Sequence, residues 1–356
     1  MPVPAAPARM PGPAPRRGSP AFTFAVLLAL CGALLGIAEG VARARWDADE
    51  LDAIPSMPFL EDHPVLLWKQ RPGLDTRLPE GPPLRTNRDG LRAGERTPKA
   101  GRARVLSLGE STTWGHSLPA EQSYTSLLAT RLDAAGFDVD VVNAGQPAWS
   151  VWQSWRFLDT EGAAWEPDVV VLYHLQNDIS SRGASNRVDP FSAALTDREL
   201  TEARAPFAAV STALAKSRLR AAVWRFALAP RVSAQAPGGV SDRVRVPTAD
   251  RTAALDAIGA WCAAHRARLL ILHPVYGTPR PTFDALLPAW ADANDAAFVH
   301  LQSLAAKDEA PPSFLLDDTH PTAAGHAWIA AHVAPALEGL LTAMGRAPAP
   351  APALAP

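Results

Sequence analysis

The chain has 356 residues, with 34 Lys and Arg against 36 Asp and Glu, a formal charge of -2, and 47% hydrophobic residues. This balance offers no dense basic surface, so nucleic acid is not an expected partner. Two cysteines, Cys31 and Cys262, supply neither a disulfide framework nor a cysteine-based metal site, and the length suits one substantial core with appendages.

In chain order, residues 1–20 are Pro-rich and read as a disordered cytoplasmic segment. Residues 21–38, AFTFAVLLALCGALLGIA, carry no charge, and as a helix they would span about 27 Å, enough for a bilayer core. Arg9, Arg16 and Arg17 precede this run and Glu39 follows it. The positive-inside rule therefore predicts a transmembrane anchor with everything after Arg43 exported, periplasmic or extracellular. A cleaved signal peptide is the rival reading, because Ala42-Arg43-Ala44 has the small-x-small form of a cleavage site.

Residues 39–99 are rich in Pro, Gly and Arg and read as an extended lead-in without chemistry of its own. Beyond them, short β-branched runs at 104–108, 139–143, 169–174 and 269–273 alternate with helical stretches at 121–135, 151–160, 252–267, 283–297 and 322–343. That alternation predicts one α/β domain over 100–345, a parallel sheet covered by helices on both faces. Residues 181–250 break the rhythm, with amphipathic pieces around 206–229 and a Gly-Gly turn at Gly238, and read as an insertion forming either a lid or a loop. The Ala-Pro run 346–356 reads as a disordered tail.

In a doubly wound sheet, ligands bind beyond the carboxyl ends of the strands. After the first run stands Gly109-Glu110-Ser111-Thr112-Thr113, where a serine at a strand-to-helix turn can expose its hydroxyl and offer its own N–H to an oxyanion, or simply cap the helix. After the second, Gly145 in Asn143-Ala144-Gly145-Gln146 lets the backbone approach a substrate, or serves the turn alone. After the third, the Asn177 amide is a further candidate donor, with a plain Asn-Asp turn as the alternative. Near the end, Asp317 lies three residues before His320, a spacing that lets the carboxylate orient the imidazole; helix capping and a metal cluster of Asp317, Asp318 and His320 are the competing readings.

Trp114 and Trp149 flank the serine and glycine blocks as candidate stacking faces for a substrate, whereas Trp152 reads as core. His174, His273, His300 and His326 lack an acid partner at useful spacing and read as structural, and Cys262 as a small core residue.

Taken together, the blocks Ser111, Gly145, Asn177 and Asp317-x-x-His320 resemble the SGNH/GDSL hydrolase family, and Asn87-Arg88-Asp89-Gly90-Leu91-Arg92 resembles a stretch of its membrane-anchored bacterial members. Two positions depart from the family pattern: Glu110 stands where Asp is usual, and Leu175 where Gly is usual. The resemblance implies a flavodoxin-like three-layer α/β/α fold with Ser111 as nucleophile, His320 as base, Asp317 as its orienter, and Ser111, Gly145 and Asn177 as oxyanion donors. It implies a serine esterase working through an acyl-enzyme without cofactor or metal, on O-acyl groups of envelope or extracellular carbohydrate, with lipid esters also open. An O-acyltransferase using the same residues and a non-catalytic, membrane-tethered glycan-binding protein are the alternatives.

Overall fold

The computed structural model describes residues 19–46, 57–78, 81–180, 196–207, 217–223, 244–278, 285–307, 313–346 and 348. Nearly all of the expected disordered ends, the Gly238 turn and most of the amphipathic stretch 206–229 lie outside the described residues, though Pro20 already belongs to the first helix.

The chain opens with α1 (Pro20–Arg45), whose uncharged run leaves no polar face to turn outward. Its apolar window has a mean hydropathy of 2.4 and no buried residue, so by length and composition the helix can cross a membrane. The lead-in is more ordered than its composition suggests. It forms two antiparallel ribbons, β1 (Leu60–His63) with β2 (Leu67–Gln70), and β3 (Asp75–Arg77) with β4 (Pro83–Arg85).

The main sheet contains β5 (Ala103–Gly109), β6 (Val139–Gly145), β7 (Val169–Tyr173), β8 (Arg268–His273) and β9 (Ala297–His300). All its pairings are parallel, in the order β6-β5-β7-β8-β9, the flavodoxin-like arrangement. The order reverses between β5 and β7, the point at which a doubly wound sheet takes ligands beyond its strand ends. Of the four expected strands all are present, and β9 is an addition: the run 283–297, expected to be one helix, divides into α9 (Leu286–Ala293) and this edge strand.

Because successive strand residues face opposite sides, the sheet feeds two cores. Leu106, Leu108, Val170, Leu172 and Ile271 pack with α4 (Val151–Thr160), α8 (Thr248–Ala264), α9 and the lead-in residues Leu60, Leu66, Trp68 and Leu91. Val105, Val169, Val171 and Leu270 pack on the other face with α3 (Tyr124–Ala134), α10 (Leu301–Lys307) and α11 (Ala323–Ala343). The remaining helices are short: α2 (Ser111–Trp114) and α5 (Gln176–Ile179) at the strand ends, and α6 (Asp197–Arg204) and α7 (Arg218–Val223) within the insertion.

Helix α1 is joined to the domain. Glu39 near its end accepts hydrogen bonds from Ser217 Oγ (2.8 Å), Arg218 N (3.1 Å) and Leu219 N (3.0 Å) at the start of α7. The Arg218 guanidinium reaches back to the carbonyls of Arg43 and Trp46. The insertion is therefore fastened to α1 through its middle and, as shown below, to the loop after β6 through Asp197 and Arg245 nearer its two ends.

Candidate active site

β5 ends at Gly109, and the chain turns at once into α2, which puts Ser111 at the first helical position beyond the sheet edge. Far along the chain, Leu315 and Pro321 bridge across a tight loop, with Leu316 N donating to the His320 carbonyl at 2.7 Å. In that loop Asp317 Oδ1 accepts from the amides of Thr319 and His320, both at 2.8 Å, fixing the carboxylate against its own backbone. Asp317 Oδ2 lies 2.7 Å from His320 Nδ1, and His320 Nε2 lies 2.8 Å from Ser111 Oγ. Serine, imidazole and carboxylate thus form a continuous chain across 209 residues of sequence. Burial works against the Asp317 charge, but the bonds from His320 and Thr319 prevail and hold this carboxyl well below the usual range. An ionised Asp317 favours the tautomer with its proton on Nδ1, leaving Nε2 free to accept from Ser111.

Asn177 lies at the start of α5, at the end of β7, and Glu110 is what secures it. The two Glu110 oxygens accept from Gln176 N (3.3 Å) and Asn177 N (3.0 Å), so the residue before the serine grips the backbone of the asparagine block. The longer Glu in place of the usual Asp is accommodated by this reach. Burial pushes the Glu110 carboxyl up to about 7, against the lowering effect of the two amides. A carboxyl raised in the fold stabilises at low pH, and that contribution is lost as pH climbs through the folded value; a rise from 4.5 to about 7 is worth about 3 kcal/mol. The stability advantage of the parent over Glu110→Gln is therefore expected to shrink by about 3 kcal/mol between pH 5 and pH 8, measured by denaturant unfolding at both pH values.

The glycine block requires a correction. Gly145 is not a free oxyanion donor: it ends β6, and its N–H is taken by Asn143 Oδ1 at 3.0 Å. The glycine is required for a different reason. A Cβ there would press on the Trp114 amide and come within 2.7 Å of the Thr113 carbonyl carbon, so β6 touches the serine helix backbone to backbone. Asn143 Nδ2 seals the same contact by donating to the Thr113 carbonyl at 2.8 Å. Gly145→Ala is expected to cost about 3 kcal/mol and to displace α2, visible as a lower Tm with a matching loss of activity.

The unengaged amide of this loop belongs to Ala148, three residues on. Its N–H has no hydrogen-bond partner among the described residues, and its φ of 60° places it in the left-handed region. Asn177 Nδ2 donates to the neighbouring Trp149 carbonyl at 3.0 Å, which draws the Ala148 loop and the asparagine block together beside Glu110 and Ser111. The second Asn177 amide hydrogen has no partner among the described residues.

The two indoles expected to face a substrate do not. Trp114 is 3% exposed, stacked on Phe59, under the Arg92 guanidinium, and bonded through Nε1 to Gln70 at 2.8 Å. Trp149 is fully buried against Phe157, with Nε1 on the Trp68 carbonyl at 2.8 Å. Both belong to the seam with the lead-in, whose ribbons cover positions that would otherwise be rim. His116 lines the site instead. Its ring stacks on that of His320 with centroids 4.1 Å apart, and burial, aided by the proximity of His320, keeps it neutral by pushing it down to about 4. Nothing in its sequence context marks it, since Gly115, with φ 87°, is what turns the chain and brings the ring back over the loop of His320. His174 and His326 are buried within other networks, His174 against Ser154 and His326 accepting from Tyr124 N.

A family model described as GDSL-like Lipase/Acylhydrolase matches residues 105–333 of the chain. No curated protein matches it. Among solved structures, the lipase/acylhydrolase from Enterococcus faecalis is 15% identical, covering 70% of this chain and 100% of its own, with a TM-score of 0.42. The psychrotrophic esterase EstA from Pseudoalteromonas sp. is 15% identical over 67% of this chain and 98% of its own, with a TM-score of 0.43. The acetyl xylan esterase AlAXEase is 14% identical over 66% and 99%, with a TM-score of 0.42. Likenesses this distant add no weight to the family match.

Proposed function

Because the chain belongs to the GDSL-like lipase/acylhydrolase family and is an ester-hydrolysing enzyme, we propose that Ser111, His320 and Asp317 carry out its reaction by two-step acyl transfer. His320 Nε2 accepts the Ser111 proton as Oγ attacks the ester carbonyl, and the imidazolium returns that proton to the departing alcohol. A water activated by the same nitrogen then attacks the acyl-serine, releasing the acid and restoring Ser111. The negative oxygen of each tetrahedral intermediate is held by Ser111 N–H, Ala148 N–H and the free hydrogen of the Asn177 amide. One observation carries the reading: Ser111 Oγ and His320 Nε2 stand 2.8 Å apart with Asp317 on the other ring nitrogen. A fluorophosphonate probe should label Ser111 stoichiometrically and abolish hydrolysis of p-nitrophenyl acetate; a parent protein that hydrolyses the ester while Ser111 stays unlabelled would sink the assignment.

For the substrate, we infer O-acyl groups, acetyl above all, on envelope or extracellular carbohydrate. The inference rests on α1 as an anchor that exports the domain, supported by the arginines before it and Glu39 after it. Acetate release from a panel of acetylated glycans should exceed release of longer acids from lipid esters; the reverse preference would favour lipid. Water as acceptor gives free acid, whereas transfer to a sugar hydroxyl would appear as an acylated product when an acceptor glycan is supplied.

A further inference from the structure

Ala148 raises a physical problem. A residue with a Cβ in the left-handed region is strained, and it stays there only where its surroundings hold it. We propose that Trp68, from the lead-in, and Arg245, from the end of the insertion, form a clamp that pins the two peptide groups flanking Ala148, making both of them positioning residues for the oxyanion donor. The proposal rests on the roles given above to Ser111 and the Ala148 N–H.

The geometry is two-sided. Trp68 Nε1 donates to the Pro147 carbonyl at 3.1 Å, and that carbonyl belongs to the same planar peptide group as the Ala148 N–H. Arg245 Nη1 donates to the Ala148 carbonyl at 2.6 Å, fixing the next peptide plane. With a bond on each plane, rotation about φ and ψ of Ala148 is restrained from both sides. The two arms also brace each other, because the Arg245 guanidinium lies over the Trp68 ring, 5.2 Å from its centroid.

Arg245 is itself rigidly held. Nη2 donates to Asp197 Oδ2 and to Gln153 Oε1, both at 2.8 Å, and Nε to Asp197 Oδ1 at 3.4 Å. Asp197 N returns a bond to the Arg245 carbonyl at 3.0 Å, and Ser150 Oγ donates to Asp197 Oδ2 at 2.6 Å. Ser150 and Gln153 close a capping box at the start of α4, immediately after Ala148. Arg245 and Asp197 are 7% and 2% exposed in their side chains. A buried ion pair of this kind is commonly no more stabilising than an apolar pair of equal volume. Its directional bonds to one strained loop are what an apolar pair would not reproduce. The insertion therefore acts through its two ends, from behind the oxyanion loop.

The test compares kcat and KM for p-nitrophenyl acetate in the full-length protein, with sites counted by exhaustive fluorophosphonate labelling. Arg245→Met is expected to lower kcat per labelled site about 10- to 100-fold, since a loosened donor forfeits part of the 100- to 1000-fold that one donor supplies, with KM changed less than about twofold. Arg245→Lys, which keeps one donor, should recover part of that loss. Trp68→Phe keeps a ring under Arg245 but removes Nε1, and should lower kcat per site about tenfold; it also serves if Arg245→Met does not fold. Unchanged kcat per labelled site in Trp68→Phe and Arg245→Lys, whatever their Tm, would overturn the clamp while leaving Ser111 as nucleophile. A parent that is not labelled at Ser111 would remove both readings.

Discussion

Ser111→Ala is expected to lower kcat for p-nitrophenyl acetate by about ten-thousand-fold or more while leaving the fold intact. Ser111 is half-buried, and its hydroxyl makes one side-chain bond, to His320. Removing the oxygen therefore takes away the attacking atom without opening a core cavity, and Tm should move by no more than about 2 °C. His320→Ala should cost nearly as much, because without an acceptor for its proton the hydroxyl is a poor nucleophile. The two losses should not add: the double variant should be about as slow as either single one, since the groups act as a unit. Additive losses would mean that the 2.8 Å contact is incidental to the reaction. Progress curves with active-site titration decide this.

A second large effect concerns stability. Asp178 and Arg251 form an ion pair at 3.3 Å in which both side chains are 1% exposed. Asp178 Oδ1 also accepts from Val151 N at 2.8 Å, and the Asp178 carbonyl accepts from Val246 N at 3.0 Å. The pair thus ties the asparagine block to the start of α4, to the insertion and to α8. Burial pushes the Asp178 carboxyl up, while Arg251 works to keep it charged. Asp178→Asn keeps the acceptor for Val151 but removes the counter-charge of a guanidinium that cannot shed its proton. The expected cost is about 3 to 5 kcal/mol, or roughly 10 °C in Tm for a domain of this size. Calorimetry on the parent, Asp178→Asn and the double variant Asp178→Asn/Arg251→Met checks it. The double variant should recover much of the loss, because the uncompensated charge is gone.

Much of the fold is legible in the sequence for a simple reason. Parallel strands buried on both faces need largely apolar runs, and 104–108, 139–143, 169–174 and 269–273 are such runs despite Arg104, Ser107, Asp140 and Asn143. β9 is harder to read because Ala297–His300 is short, lies at the edge and is only half-buried, so it merges with the helical pattern before it. The lead-in ribbons are three- and four-residue strands set among prolines and charges, held by register and by the core beneath them.

At the site, chemistry was easier to read than geometry. A hydroxyl after one strand and an Asp-x-x-His before the last helix carry their own signal, and the fold brings them together. The sequence at Gly145 shows that a backbone approaches closely there but not what it approaches, which is the Thr113–Trp114 backbone and not a substrate. Ala148 carries no signal, because a left-handed conformation in a residue other than Gly or Asn is imposed by its surroundings. Arg245 and Asp197 lie 97 and 49 residues from Ala148, within a segment whose composition suggests a cover. Trp114 and Trp149 stand beside the serine and glycine blocks in the chain, yet the lead-in seals them over.

That seal sets where this protein can be cut. The family match starts at residue 105, but Trp68 bonds to Pro147, Gln70 to Gln146 and Trp114, Gly90 to Gln146, and Arg92 to Gly115. A chain trimmed to the matched boundary would expose two large indoles and strand a buried glutamine, so it should aggregate or melt early. Trimming just before Met57 keeps the ribbons in place, and it is there that a minimal autonomous unit is to be sought.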